Sequence, residues 1–169
     1  AALADKHPDW GMQDRKLLEH IDFDRKAFVV DGVEYEMKDT HFPTVDRAHP
    51  YRLTAEETEL VNKLHHSFRI SDKLRKHIQC LFSHGSMYGV YNSNLLFHAS
   101  MPLNADGSLK EVELRGEKYK GSELFRQIGM IMRSAFNDDT PAADRDFARD
   151  YYWYLWCGPD SPLFDKEKM

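Results

Sequence analysis

The segment Ser93–Pro102, SNLLFHASMP, constrains this chain more than any other stretch. Leu95-Leu96-Phe97 is an unbroken apolar run, short and bounded by turn residues, so it reads as a fully buried strand. The run ends at His98, and the next residues, Ala99 and Ser100, are small. A strand that ends this way delivers a polar side chain at its tip, with room for something to approach. On pattern alone two readings of His98 stay open. It is a ligand or catalytic group, or it is a buried histidine bonded to a backbone carbonyl.

The rest of the chain reads as scaffold around that tip. Asp9–Ile21 carries a short helical pattern with Leu17, Leu18 and Ile21 on one face. Ala27–Val30 and Val33–Met37 flank Asp31-Gly32, a pair suited to a two-residue turn because both positions need positive φ. In the second of these strands Val33, Tyr35 and Met37 alternate with Glu34 and Glu36, so one face is wet. Asp39–Arg52 has two prolines, two histidines and no periodicity, and reads as a connector. Thr54 and Glu57 form a capping box for a helix whose Leu60, Val61, Leu64 and Phe68 share a face. Ser71 caps a second helix with Leu74, Ile78, Leu81 and Phe82, and Gly85 stops it. Asn92-Ser93-Asn94 then turns the strand Ser86–Tyr91 into Leu95–His98.

Beyond the tip, Glu111–Leu114 and Glu117–Tyr119 flank Arg115-Gly116 as a further hairpin. Ser122 caps a strongly amphipathic helix through Phe136. Gly129 inside it costs about 1 kcal/mol relative to alanine, which points to close packing. Thr140 and Pro141 open another helix, as cap and first helical residue, leading into Tyr151-Tyr152-Trp153-Tyr154-Leu155-Trp156. That aromatic run reads as packed core or an interface, with a sugar-site wall as the less favoured reading. The sum is a mixed α/β chain, α+β in its local order. The connector is a candidate boundary between residues 1–52 and residues 53–169.

Charge and composition narrow the function classes. The net charge of −5 is well mixed in sign, so no basic stripe calls for nucleic acid and no polybasic cluster for an anionic membrane. No apolar run approaches bilayer length, and the polar start lacks a secretory core segment. The two cysteines, Cys80 and Cys157, match no zinc spacing. Cys80 reads as a buried free thiol, and a reducing, cytoplasmic location fits better than a disulfide scaffold. The chain begins with Ala1, and residues 164–169 look like a cap and first helical turn. Both ends therefore look like cuts in a longer chain.

Nine histidines invite metal hypotheses. His65 and His66 are adjacent on a helix and diverge. His41 and His49 lie in the connector, His77 sits at the edge of an apolar face, and His7 and His20 lack acidic partners at ligand spacing. His84 is placed where a helix end favours positive charge. There is no phosphate loop, no HExxH and no CxxC, and Asp138-Asp139 reads as a loop. Arg115, Lys118 and Lys120 read as solvated charges.

Three blocks of residues resemble a known family. They are Gly85–Tyr88 with Val90–His98, Met101–Gly107, and, most distinctive, Tyr151–Phe164. Leu3–Trp10 through Asp39–Asp46 join them, so the likeness runs nearly end to end. The family is the class III fructose-1,6-bisphosphatases of bacteria, itself similar to the calcineurin-like metallophosphoesterases. The resemblance implies the middle of a β-sandwich flanked by helices, with two divalent metals, typically manganese, held at the sheet edges. It implies that His98 is a metal ligand, because Leu95-Leu96-Phe97-His98-Ala99 matches the aliphatic–aliphatic–x–His–small block, with alanine in place of the usual glycine. It implies hydrolysis of fructose 1,6-bisphosphate to fructose 6-phosphate in gluconeogenesis, by attack of metal-bound hydroxide. The resemblance places the family's Asp-x-His, Gly-Asp-x-x-Asp-Arg and Gly-Asn-His-Glu blocks upstream of this sequence and its Gly-His block downstream of it. The expected partners are the sugar bisphosphate and the remainder of the parent chain, with self-association open. The alternative is a non-catalytic binding or oligomerisation module.

Overall fold

The structure, a computed structural model, describes residues 1–164 and residue 166. The helical turn expected over residues 164–169 therefore falls largely outside the described residues. A short helix α1 (Ala2–Lys6) leads into 3-10 turns at Pro8–Trp10, Gln13–Arg15 and Leu17–His20. The single helical pattern read over Asp9–Ile21 is thus broken into turns. Gly11, at φ 63°, interrupts it, and Ile21 already belongs to a strand.

Strands β1 (Ile21–Asp22), β2 (Ala27–Val30) and β3 (Val33–Glu36) make an antiparallel sheet in that order. The Asp31-Gly32 turn has φ of 51° and 77°, the positive pair expected. β3 is exposed along its whole length, so Val33 and Tyr35 face water as Glu34 and Glu36 do. The connector has no helix or strand.

Helix α2 (Ala55–Ile70) begins with the complete capping box of Thr54 and Glu57. Helix α3 (Asp72–His84) is capped by the Ser71 hydroxyl, which accepts from the Leu74 amide. Neither helix has a buried residue, and the stripe of α2 is open, with Phe68 64% exposed. Cys80 is exposed on α3, not buried as expected, because nothing packs over that face.

Strands β4 (Tyr88–Tyr91) and β5 (Asn94–Phe97) form a two-stranded hairpin, and β6 (Val112–Leu114) and β7 (Glu117–Tyr119) form another. The strands of the three sheets do not pair with one another. β5 is exposed, Leu96 at 57%, against the expectation of full burial: an apolar run specifies that a strand wants cover, and here no second layer lies over it.

The core lies at the other end of the chain. Helix α4 (Gly121–Ser134) buries Leu124, Ile128 and Ile131 against Ala148, Tyr151 and Leu155 of α5 (Ala142–Cys157). Val112 and Leu114 of β6 close one side, and Ala4 and Met12 close another. The aromatic run is mainly core, although Trp156 points out, 79% exposed. Ser122 lies inside α4, whose N-cap is Lys120, and Pro141 is itself the N-cap of α5. Neither helix start has a side-chain cap, so burial of the apolar stripe fixes these two helices.

Candidate functional site

The hairpin β4–β5 places His98 directly. Asn92 and Ser93, at φ 47° and 63°, make the tight turn, and Tyr88 pairs with Phe97 at the far end. The rings of Tyr88 and Phe97 lie 5.8 and 6.0 Å from that of Phe125, so the hairpin rests on α4. His98 follows Phe97. Two residues later the Ser100 amide donates to the Pro162 carbonyl at 3.2 Å, which holds the chain on its far side.

His98 is exposed and lines a cavity of about 300 Å³. Its walls include Phe82 from α3, Met87 before β4, Met132 and Arg133 from α4, and Leu163. Among the described residues His98 makes no hydrogen bond or ion pair, so the reading of a histidine tied to a backbone carbonyl is not what the fold shows. The polar side chains beside it on the cavity wall are Ser86 and Arg133, with no carboxylate. No group of three or more histidine, cysteine, aspartate or glutamate side chains gathers to hold a metal among the described residues. A two-metal centre does not fit these residues by themselves, since it needs several carboxylates and imidazoles around one point.

The other candidates are structural. His20 bonds the carbonyls of Val29 and Asp14 at 3.0 and 3.1 Å. His84, at the end of α3, reaches the Cys80 carbonyl at 3.1 Å. Arg115 pairs with Asp144 at 3.1 Å and lies 4.4 Å over the Phe147 ring, and Lys120 pairs with Glu111 at 3.4 Å. Asp138 and Asp139 sit in an exposed loop. His41, His49, His65, His66 and His77 are exposed, and none belongs to a group of three or more metal-ligating side chains among the described residues.

Two constellations have no sequence signature. His7 stacks on Trp10 at 3.8 Å and bonds Asp150 at 2.8 Å, and Lys6 bonds the same carboxylate oxygen. Burial pushes the Asp150 carboxyl up, but the His7 and Lys6 bonds outweigh it and leave it below the ordinary range. The partners are 143 residues apart, so no local pattern reveals them. The second is Arg133, whose three guanidinium nitrogens all donate to carbonyls at the α3–α4 junction. Its one trace in the sequence is Gly129, a glycine one turn earlier.

The aromatic run makes the wall of a second cavity, of about 390 Å³, with Trp10, Phe147, Tyr151 and Tyr154. These rings spend their faces and edges on one another, for example Tyr151 stacked on Tyr154 at 5.0 Å. Burial pushes the Tyr154 hydroxyl up to about 12 and that of Tyr151 well above its usual value. For these rings that is the chemistry of a core, as favoured from sequence.

The profile of the family described as Firmicute fructose-1,6-bisphosphatase matches residues 1–169. The chain is 56% identical over 169 residues to a "Fructose-1,6-bisphosphatase class 3" of Bacteroides thetaiotaomicron, covering all of this chain and 26% of that protein. It is 56% identical over 170 residues to the protein of the same name in Phocaeicola vulgatus, again covering all of this chain and 26% of the relative. The like-named Clostridium acetobutylicum protein is 45% identical over 164 residues, 97% of this chain and 25% of the relative. The chain thus spans about a quarter of the length of these relatives. No solved structure matches it.

Proposed function

This chain belongs to the Firmicute fructose-1,6-bisphosphatase family, and on that premise we propose that it is a segment of an enzyme hydrolysing fructose 1,6-bisphosphate to fructose 6-phosphate and phosphate. The observation that carries the reading is 56% identity over all 169 residues to a relative of that name. The reading includes a gluconeogenic role and a cytoplasmic location. No helix among the described residues is long and apolar enough to cross a membrane, which is compatible with that location.

His98 is the one ligand this segment gives to a manganese centre, and residues outside the chain complete it. Its position at the end of β5, unbonded and on a cavity wall, supports that role. Residues 1–52 are the accessory part of the segment and residues 53–169 the part that joins the catalytic domain. Ala4 and Met12 nonetheless reach the α4–α5 core.

The test uses the full-length polypeptide with and without His98→Ala. Metal content and phosphate release from fructose 1,6-bisphosphate are measured on both. The variant is expected to lose manganese and at least about 100-fold in activity, as for a displaced catalytic geometry. An inactive parent overturns the enzyme. An active parent with an unaltered variant overturns the ligand assignment alone. The open stripe of α2 favours a second reading, a non-catalytic assembly module. A gene that ends with this segment, with no further catalytic blocks, would select it.

A further inference from the structure

We propose that Arg133 is a positioning residue, whose guanidinium clamps the end of α3 to α4 and so sets where β5 presents His98. The inference rests on the reading of His98 as a functional group. The geometry is specific. Nε donates to the Phe82 carbonyl at 3.3 Å, Nη2 to the Gly85 carbonyl at 2.8 Å, and Nη1 to the Gly129 carbonyl at 3.1 Å. Phe82 lies in the last turn of α3 and Gly85 is its C-cap. These carbonyls carry the negative end of the helix dipole, which a fixed positive charge complements.

The clamp transmits to His98 through few bonds. From Gly85 the chain needs only Ser86 and Met87 to reach Tyr88, the first residue of β4. Tyr88 pairs with Phe97, and His98 is next. Clamp and histidine line the same cavity. On the other side the Ser100 amide is tied to Pro162. His98 therefore sits between two anchors, and the Arg133 clamp is the one that acts through a charged fork.

Gly129 belongs to the same device. A Cβ there would lie 3.2 Å from Arg133 Nη1 and 3.7 Å from Met87 Cγ. The glycine inside α4 leaves room for the guanidinium to lie along the helix. A lysine could not replace the arginine, since a single ammonium cannot address three carbonyls in a plane. A competing use of Arg133, to draw an anion into the cavity, is the weaker reading. Three of its five N–H groups already donate to carbonyls, and its charge is matched to the helix end.

The test is made on the full-length polypeptide, with Arg133→Ala, Arg133→Lys and Gly129→Ala. The His98 ring resonance is followed by NMR in protein stripped of metal, with His98→Gln identifying the signal. Phosphate release is measured in parallel. Arg133→Ala is expected to move the His98 signal and to lower kcat about tenfold or more, with a smaller change in KM. Added guanidinium should recover part of both, and Arg133→Lys should recover neither. Gly129→Ala should move the signal the same way by less. A merely structural arginine would lower the melting temperature and leave the His98 signal in place, which overturns the proposal. If Arg133→Ala does not fold, an unmoved signal in Gly129→Ala overturns it instead. A parent without phosphatase activity sinks the enzyme reading, while the ring signal still decides the clamp.

Discussion

A single residue can be fixed by contact when its backbone angles allow anything. Gly158 ends α5 at φ −76°, an angle open to every residue. A Cβ there would nevertheless lie 2.6 Å from the Tyr154 carbonyl oxygen and 2.6 Å from its ring. One of these is backbone and cannot swing away. Gly158→Ala should therefore destabilise the chain by about 1–3 kcal/mol, as overpacking does. Urea unfolding checks this, and an unchanged midpoint would show that Tyr154 yields freely. In the sequence Gly158 is followed by Pro159 and Pro162, the pattern of a helix stop. That pattern could not show that the reason is the tyrosine one turn back.

At the scale of elements, α1 is held to α5 by one carboxylate. Lys6 and His7 both bond Asp150, whose side chain is only 15% exposed. Because its folded pKa lies below the ordinary value of 3.8, the folded state binds fewer protons in acid than the unfolded chain. The stabilisation is complete above that value and disappears as pH falls through the folded one. Asp150→Asn should lower stability at neutral pH and flatten its fall below roughly pH 4. Unfolding midpoints for parent and variant across that range measure it. Curves that stay parallel would remove Asp150 from the acid limb. The capping box of α2 is the opposite case, legible in full because its partners are three residues apart.

The whole molecule is two-sided. α4, α5 and β6 share a dry core, while α2, α3 and β5 carry apolar residues in the open. Leu124, 1% exposed, should cost about 2–5 kcal/mol on truncation to alanine. Leu64, 52% exposed, should cost within about 0.5 kcal/mol in this chain. Equal losses in denaturant titrations would mean that the α2 stripe is covered in solution.

Local chemistry was enough to read the three hairpins, because the paired positive-φ residues of each turn lie side by side in the sequence. It also placed α2 and α3, through caps three residues from their partners, and it located His98 at a strand tip. Burial of β5 was misjudged, since an apolar run states a need for cover and says nothing of whether a partner layer is present. The His7–Asp150 pair and the Arg133 clamp were invisible, because they join residues up to 143 positions apart. Hydrogen bonds over a few residues are written into the order of the side chains. Which faces meet, which cations find carbonyls, and what surrounds His98 are decided only when the helices pack.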